Sequence, residues 1–452
     1  MSNKSSASSI LSNATLHDFI HGLDLAVIRD LAIAARRASP GVPEPPDGLS
    51  CHVVTPAKSG SYNVVFELDF SDGVSWVIRI PIDEWDPIDA RCMNFDIIAM
   101  EYIVGRTSVP IPRVHAYSSG VNNALGRPYM LMDKVHGTPL VDVWNDPAWW
   151  TGDRRRENLF DSLAGYMVEL ASLQFDKIGR LDRVKPDGDH VIAPFPSGIA
   201  IIGAEGAHED FGPFATTHAY LTELLALRRK TGRTRNVPPY ALLQLFIGAL
   251  PNSQLDAGPF TFGHPDYDLQ NVFVDDKTGR VVGIIDWDGV TVQPPELGAL
   301  AYPAWLTHDW NPAAYDFDFS QPQIELEIEM HTYRRMYTEA VRRASEDKED
   351  QAAVTSNSHV VYGLFSAITS PAALYTVIYR LGEYAFGSST LTSILLEEIE
   401  HSAWYKMLSG DAGQKETWAE VASAGNDAVE HAQKNVAVRS VESMELGIEV
   451  FV

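Results

Sequence analysis

Residues 262–290 read FGHPDYDLQNVFVDDKTGRVVGIIDWDGV, and this stretch restricts the fold more than any other. The apolar runs on either side of Lys277-Thr278-Gly279 form the pattern of a tight β-hairpin. Asn271 stands just before the first run, and Asp286, fifteen residues later, closes the second. The hairpin therefore places both at one end, and Asp266 lies on the segment that enters the same place. Two carboxylates and one carboxamide oxygen at a sheet edge make a hard-oxygen set suited to Mg2+. A calcium loop built on Asp266, Asp268, Asp275 and Asp276 is the competing reading, although the glycine and terminal Glu of an EF-hand are missing. Asp275 and Asp276 read as turn acids, and Val272, Val274, Val282 and Ile284 as the apolar support.

Upstream, the apolar positions Phe19, Leu23, Val27, Ile28 and Leu31 predict one helix, which the linker PGVPEPPDG (40–48) ends. Alternation in Val64–Phe66–Leu68 and Trp76–Ile78–Ile80 around Ser71-Asp72-Gly73 predicts a second hairpin. A helix over 89–105 follows, with Met93, Ile97, Met100 and Val104 as its apolar stripe, and then a strand–turn–strand through VHAYSSG and GRPYMLMDKV. From 138 onward the pattern is helical, interrupted by a hairpin in GRLDRVKPDGDHVIAPF and by the opening motif. Helices are expected over 324–346, 357–385, 389–408 and 414–435. The divisions are 1–48 (helix and linker), 49–135 (a small sheet with one helix), 136–410 (mainly helical) and 411–452 (a helix and tail).

His264-x-Asp266-x-x-x-x-Asn271, a hairpin and then Ile285-Asp286 resembles the catalytic signature of the aminoglycoside phosphotransferase and choline kinase family. WVIRIP, TSVPIPRVHAY, GRPYMLMDKVHGTPL, SLQFDKIGRL and LGALAYPAWL stand in that family's order, so the likeness covers roughly residues 50–310. The resemblance implies an α+β, bilobal protein-kinase-like fold with an antiparallel-sheet N-lobe and a helical C-lobe. It also implies transfer of the γ-phosphoryl of ATP, with Mg2+, to a hydroxyl of a small molecule. Asp266 matches the catalytic base, and Asn271 and Asp286 the metal ligands. Arg79 takes the place of the phosphate-binding Lys. Its acidic partner is expected on the 89–105 helix, where Asp96 is preferred over Glu101. Backbone N–H groups of Ser59, Gly60 and Ser61 are expected over the phosphates. Asp133 and Val135 are expected to pair with the adenine edge through their backbone, with Met132 as gatekeeper. His264 is expected to brace the loop, and Asp288 is either a supporting acid or a turn residue. Trp305, Asp309, Trp310, Asp316 and Asp318 form a candidate wall for a cationic acceptor. A nucleotide-binding scaffold without turnover is the alternative.

Lys plus Arg number 35 against 60 Asp plus Glu, a formal net charge of −25. Such a charge repels nucleic acid and anionic membrane surfaces. Two cysteines are too few for a disulfide framework. With no signal or membrane-spanning pattern, the expected location is cytoplasmic.

Overall fold

A computed structural model describes residues 13–38, 48–184, 188–196, 210–231, 237–310, 323–346 and 349–401. The predicted helix at 414–435, the PDG turn at 186–188 apart from Gly188, Asp316 and Asp318 lie outside them. The predicted first helix is two, α1 (Asn13–His21) and α2 (Leu25–Ala38). The break falls at Gly22–Asp24, where Asp24 Oδ1 accepts the Ala26 N–H at 2.8 Å and caps α2.

The first sheet contains β1 (Cys51–Val53), β2 (Lys58–Ser59), β3 (Asn63–Phe70) and β4 (Ser75–Pro81), followed by α3 (Pro87–Val104), β5 (Val114–Ser118) and β6 (Tyr129–Asp133). Its strand order is β1-β3-β4-β6-β5, with β2 on β3 and every pairing antiparallel. The β3–β4 register puts Phe66 opposite Ile78 and Leu68 opposite Trp76. Alternate residues therefore share one face, and all four are buried against α2. Asp86 caps α3 in a reciprocal capping box with Asp89.

The chain then forms β7 (Thr138–Pro139), α4 (Leu140–Val143), α5 (Arg156–Ala171), β8 (Gln174–Phe175), β9 (Arg180–Arg183), β10 (His190–Ala193), α6 (Thr217–Thr231) and α7 (Val237–Ala249). Next come β11 (Phe260–Gly263), β12 (Val272–Val274), β13 (Val281–Ile284), β14 (Thr291–Gln293), α8 (Gln323–Ala344), α9 (Glu349–Thr369), α10 (Leu374–Phe386) and α11 (Ser389–His401). One large apolar cluster joins α4 through α11, and it includes Leu159, Phe246, Phe262, Val272 and Leu364. The architecture is thus α+β and bilobal, a small antiparallel sheet followed by a mainly helical part. The helix expected over 357–385 is broken between α9 and α10 at Ser370–Pro371, because Pro removes a backbone donor and disfavours helix before it. No helix among the described residues is long and apolar enough to cross a membrane.

Candidate active site

The central hairpin is β12–β13, with Val272 opposite Ile284. The Ile285 N–H donates to the Asn271 carbonyl at 2.9 Å, so the ladder runs out between Asn271 and Asp286. A bulge shifts the register between Phe273 and Val274. As a result Val281 is buried, while Val282, read from the sequence as support, is 38% exposed. At the far end Asp275 Oδ1 accepts from the Thr278 N–H at 2.8 Å and its hydroxyl at 2.8 Å, a turn acid as expected. β7 adds a third strand, with Phe273 opposite Pro139 and Val274 opposite Thr138. The segment leaving the first sheet is therefore hydrogen-bonded directly to the hairpin.

Asp266 is held from two sides. Its Oδ2 accepts from Gln270 Nε2 at 3.0 Å and from Asn271 Nδ2 at 3.1 Å, and Asn271 Nδ2 also reaches the Asp266 carbonyl at 2.7 Å. Oδ1 has no hydrogen-bond partner among the described residues. With its nitrogen committed, the amide of Asn271 offers its carbonyl oxygen to a cation. His264 Nδ1 accepts the Asp266 N–H at 3.1 Å, and Nε2 lies 2.8 Å from the Ile285 carbonyl. These partners select the neutral tautomer with the proton on Nε2. Burial pushes its pKa down to about 4, so His264 braces the loop and has no free nitrogen to act as a base. Asp268 accepts from the Leu269 N–H at 2.8 Å and caps the short 3-10 turn that ends in Asn271. Burial raises its pKa to about 6. Neither the brace by Gln270 nor this cap has a sequence signal beyond the residue types.

Asp286 has φ +65°, a left-handed conformation that Asp tolerates better than most residues. Arg79 reaches across from β4: Nη2 lies 3.1 Å from Asp286 Oδ1 and 2.8 Å from Asp288 Oδ2, and Nη1 lies 3.0 Å from Asp288 Oδ1. Burial alone would lower the pKa of Arg79, but Asp288 and Asp286 outweigh it and hold it above the usual value. Burial raises the pKa of Asp286, against the pull of Arg79. Between them, Trp287 is buried, donates Nε1–H to the Ile284 carbonyl at 2.9 Å and meets His264 edge-on at 4.6 Å.

The expected partnership between Arg79 and the α3 acid is not formed. Asp96 lies 2.6 Å from Arg180 Nη2 on β9 and accepts the Gly289 N–H at 2.8 Å, while Glu101 pairs with Arg183 at 3.0 Å. Asp96 borders the buried face of α3, where β9 supplies its own guanidinium and draws the acid away from the sheet. Ser59, Gly60 and Ser61 form an exposed hairpin tip, and Gly60 commits its N–H to the Asn63 carbonyl at 3.0 Å. Asp133 commits its N–H to the Arg113 carbonyl at 3.0 Å and its Oδ1 to His115 Nε2 at 2.6 Å, which leaves its carbonyl for a ligand. Met132 is buried, and Val135 packs against Gly283 of β13, where a β-carbon would overlap its methyl groups. Of the candidate acceptor wall, Trp305 is core, and both oxygens of Asp309 bind buried Arg334 at 2.7 and 2.9 Å, so neither of these two lines a pocket.

Among the described residues, no group of three or more His, Cys, Asp and Glu side chains is disposed to hold a metal ion. The residues that could hold a metal here are Asn271, through its carbonyl oxygen, and Asp286, and so short an oxygen set would suit Mg2+ rather than a cage-bound ion. The guanidinium on Asp286 fits the same reading, since it fills the place of a cation.

A profile of the phosphotransferase enzyme family matches residues 53–316, more than half the chain. The chain belongs to that family. Among its relatives, the subtelomeric hrmA-associated cluster protein of Aspergillus fumigatus is 24% identical over 323 residues, 57% of this chain and 61% of the relative. The altered inheritance of mitochondria protein 9 of Eremothecium gossypii, named as mitochondrial, is 22% identical over 61% of this chain and 54% of that protein. The chain therefore spans less than two thirds of either relative. A solved structure of the macrolide 2'-phosphotransferase of Brachybacterium faecium is 13% identical, with 87% of this chain and 99% of that one covered and a TM-score of 0.42.

Proposed function

We propose that this phosphotransferase moves the γ-phosphoryl group of ATP to a hydroxyl of a small molecule, with Mg2+ supplying charge neutralisation on the phosphates. The observation that carries the reading is the carboxylate of Asp266, fixed through Oδ2 by Gln270 and Asn271 with Oδ1 open, at the hairpin end that also bears Asp286. Asp266 orients the acceptor hydroxyl and takes its proton as the phosphoryl group leaves ADP. Asn271 and Asp286 hold the metal. Arg79 contacts the phosphates, and the exposed tip at Ser59–Ser61 covers them, with the Gly60 N–H already committed to Asn63. The Asp133 carbonyl and the Val135 backbone receive the adenine beside Met132.

The acceptor is a small hydroxyl compound, and the charge of −25 favours a cationic one. Nucleic acid and membrane play no part in this reading, and both cysteines are free, as in a reducing cytoplasm. Purified protein incubated with Mg-ATP and pooled amino sugars, amines and alcohols should yield ADP and a phosphorylated product by mass spectrometry. The product should vanish with Asp266→Ala. Tight nucleotide binding with no product across a broad panel would instead establish a scaffold without turnover.

A further inference from the structure

The anchor of Arg79 lies outside the helix that the sequence points to. Both α3 candidates are engaged elsewhere, Asp96 with Arg180 and Gly289 and Glu101 with Arg183. Asp288 meets the guanidinium with two parallel bonds, at 3.0 and 2.8 Å, while Asp286 receives only one, at 3.1 Å. The two-pronged contact is the stronger kind and fixes the plane of the guanidinium.

The turn that carries Asp288 is held independently of Arg79. Trp287 is pinned in the core through its bond to Ile284, and the Val290 N–H returns to the Trp287 carbonyl at 3.0 Å. Gly289, at φ +90°, gives its N–H to Asp96, which buried Arg180 secures in turn. We infer that Asp288 is the positioning residue for Arg79 in phosphoryl transfer, and that Asp96 with Arg180 is the strut that fixes the turn beneath it. The inference rests on the phosphotransferase reading.

Two acids share one guanidinium here, so the site keeps a net negative charge for a second cation. With Asp286 given over to holding Mg2+, Asp288 would still retain Arg79, leaving the other N–H groups of the guanidinium for the phosphates. This also accounts for Arg at a position where the family resemblance leads to Lys. A single ammonium nitrogen cannot place a planar fork on Asp288 and a further donor on Asp286.

Asp288→Asn should weaken ATP binding about tenfold, the loss expected for one charge-assisted interaction. Binding is read by thermal-shift titration with ATP in the presence of EDTA and again with Mg2+. In turnover the KM for ATP should rise while the KM for the acceptor stays unchanged. Asp288→Glu, which keeps the carboxylate, should recover most of the affinity. On an Arg79→Met background, Asp288→Asn should cost nothing further. Unchanged or tighter ATP binding in Asp288→Asn overturns the inference, as does an equal loss on the Arg79→Met background. Should Asp288→Asn not fold, Arg79→Lys carries the test: its affinity must no longer respond to Asp288→Glu. Failure of the wild-type chain to bind any nucleotide overturns the phosphotransferase reading and this inference together. Binding by wild type with an indifferent Asp288→Asn sinks this inference alone.

Discussion

Residues 262–289 and 301–310 look alike on paper, each mixing aromatic residues with Asp and His. In space they are opposites. In the first, buried Val272, Val274 and Ile284 hold polar groups at an edge, where Asp286 and Asp288 stay 43% and 45% exposed. In the second, Trp305 is packed into the core and Asp309 is consumed by Arg334, a residue delivered from α8. A cation arrives from elsewhere in the chain in both, and the difference lies in where it meets the acid. Arg79 pairs with Asp286 and Asp288 at an edge that leaves both acids nearly half exposed, whereas Arg334 takes both oxygens of Asp309 inside the core.

The sharpest way to break this comparison is to remove one acid from each region. Asp266→Ala should lower kcat about 10^3-fold, the scale of a lost general base, with the urea midpoint unmoved. Asp309→Ala should do the reverse. It leaves Arg334 buried and unpaired at a cost of about 3–5 kcal/mol in chemical denaturation. Replacing both Asp309 with Leu and Arg334 with Met should recover most of that stability. If Asp309→Ala instead left the fold intact and abolished acceptor binding, the second region would be a pocket wall after all.

A smaller effect tests the seam between Val135, just beyond β6, and the hairpin. In Gly283→Ala the new β-carbon meets the Val135 methyl groups, an overpacking expected to cost about 1–3 kcal/mol. ATP affinity should fall with it, since Val135 is displaced.

The least of the effects concerns His359 of α9, whose ring packs against Trp310 of the second region at 4.8 Å. Burial lowers the pKa of His359 from 6.5 to about 4. Below pH 6.5 the unfolded chain takes a proton that the folded chain refuses until about pH 4, so this group destabilises the fold as pH falls through that window. His359→Gln should therefore flatten the acid-side loss of stability, by about 1.4 kcal/mol per pH unit at most, when compared with wild type by denaturation at several pH values.

The hairpins could be read from sequence because a period of two and a turn tripeptide are local properties. Phe66, Ile78, Val272 and Ile284 lie where alternation put them. The convergence of Asn271 and Asp286 followed from the same logic. The ion pairs did not, because Asp96 with Arg180 and Asp309 with Arg334 join residues 84 and 25 positions apart. Nothing in the neighbourhood of either acid announces the base. β7 escaped notice because it has two residues, one of them a proline. Val282 misled because a single bulged residue moves a side chain from one face to the other.

β7 has one more consequence. The first sheet ends at Asp133 and the hairpin begins to claim the chain at Thr138. Lys134 is tied to Ser75 by its N–H at 3.2 Å and to Glu67 through its ammonium at 2.7 Å, and Val135 is wedged on Gly283. His136 and Gly137 lie between these two sets of ties, and Gly137, at φ +138°, sits so close to the Val274 carbonyl that a β-carbon would overlap it. On the proposed reading, adenine is therefore received just before a segment that is hydrogen-bonded to the hairpin bearing Asp286.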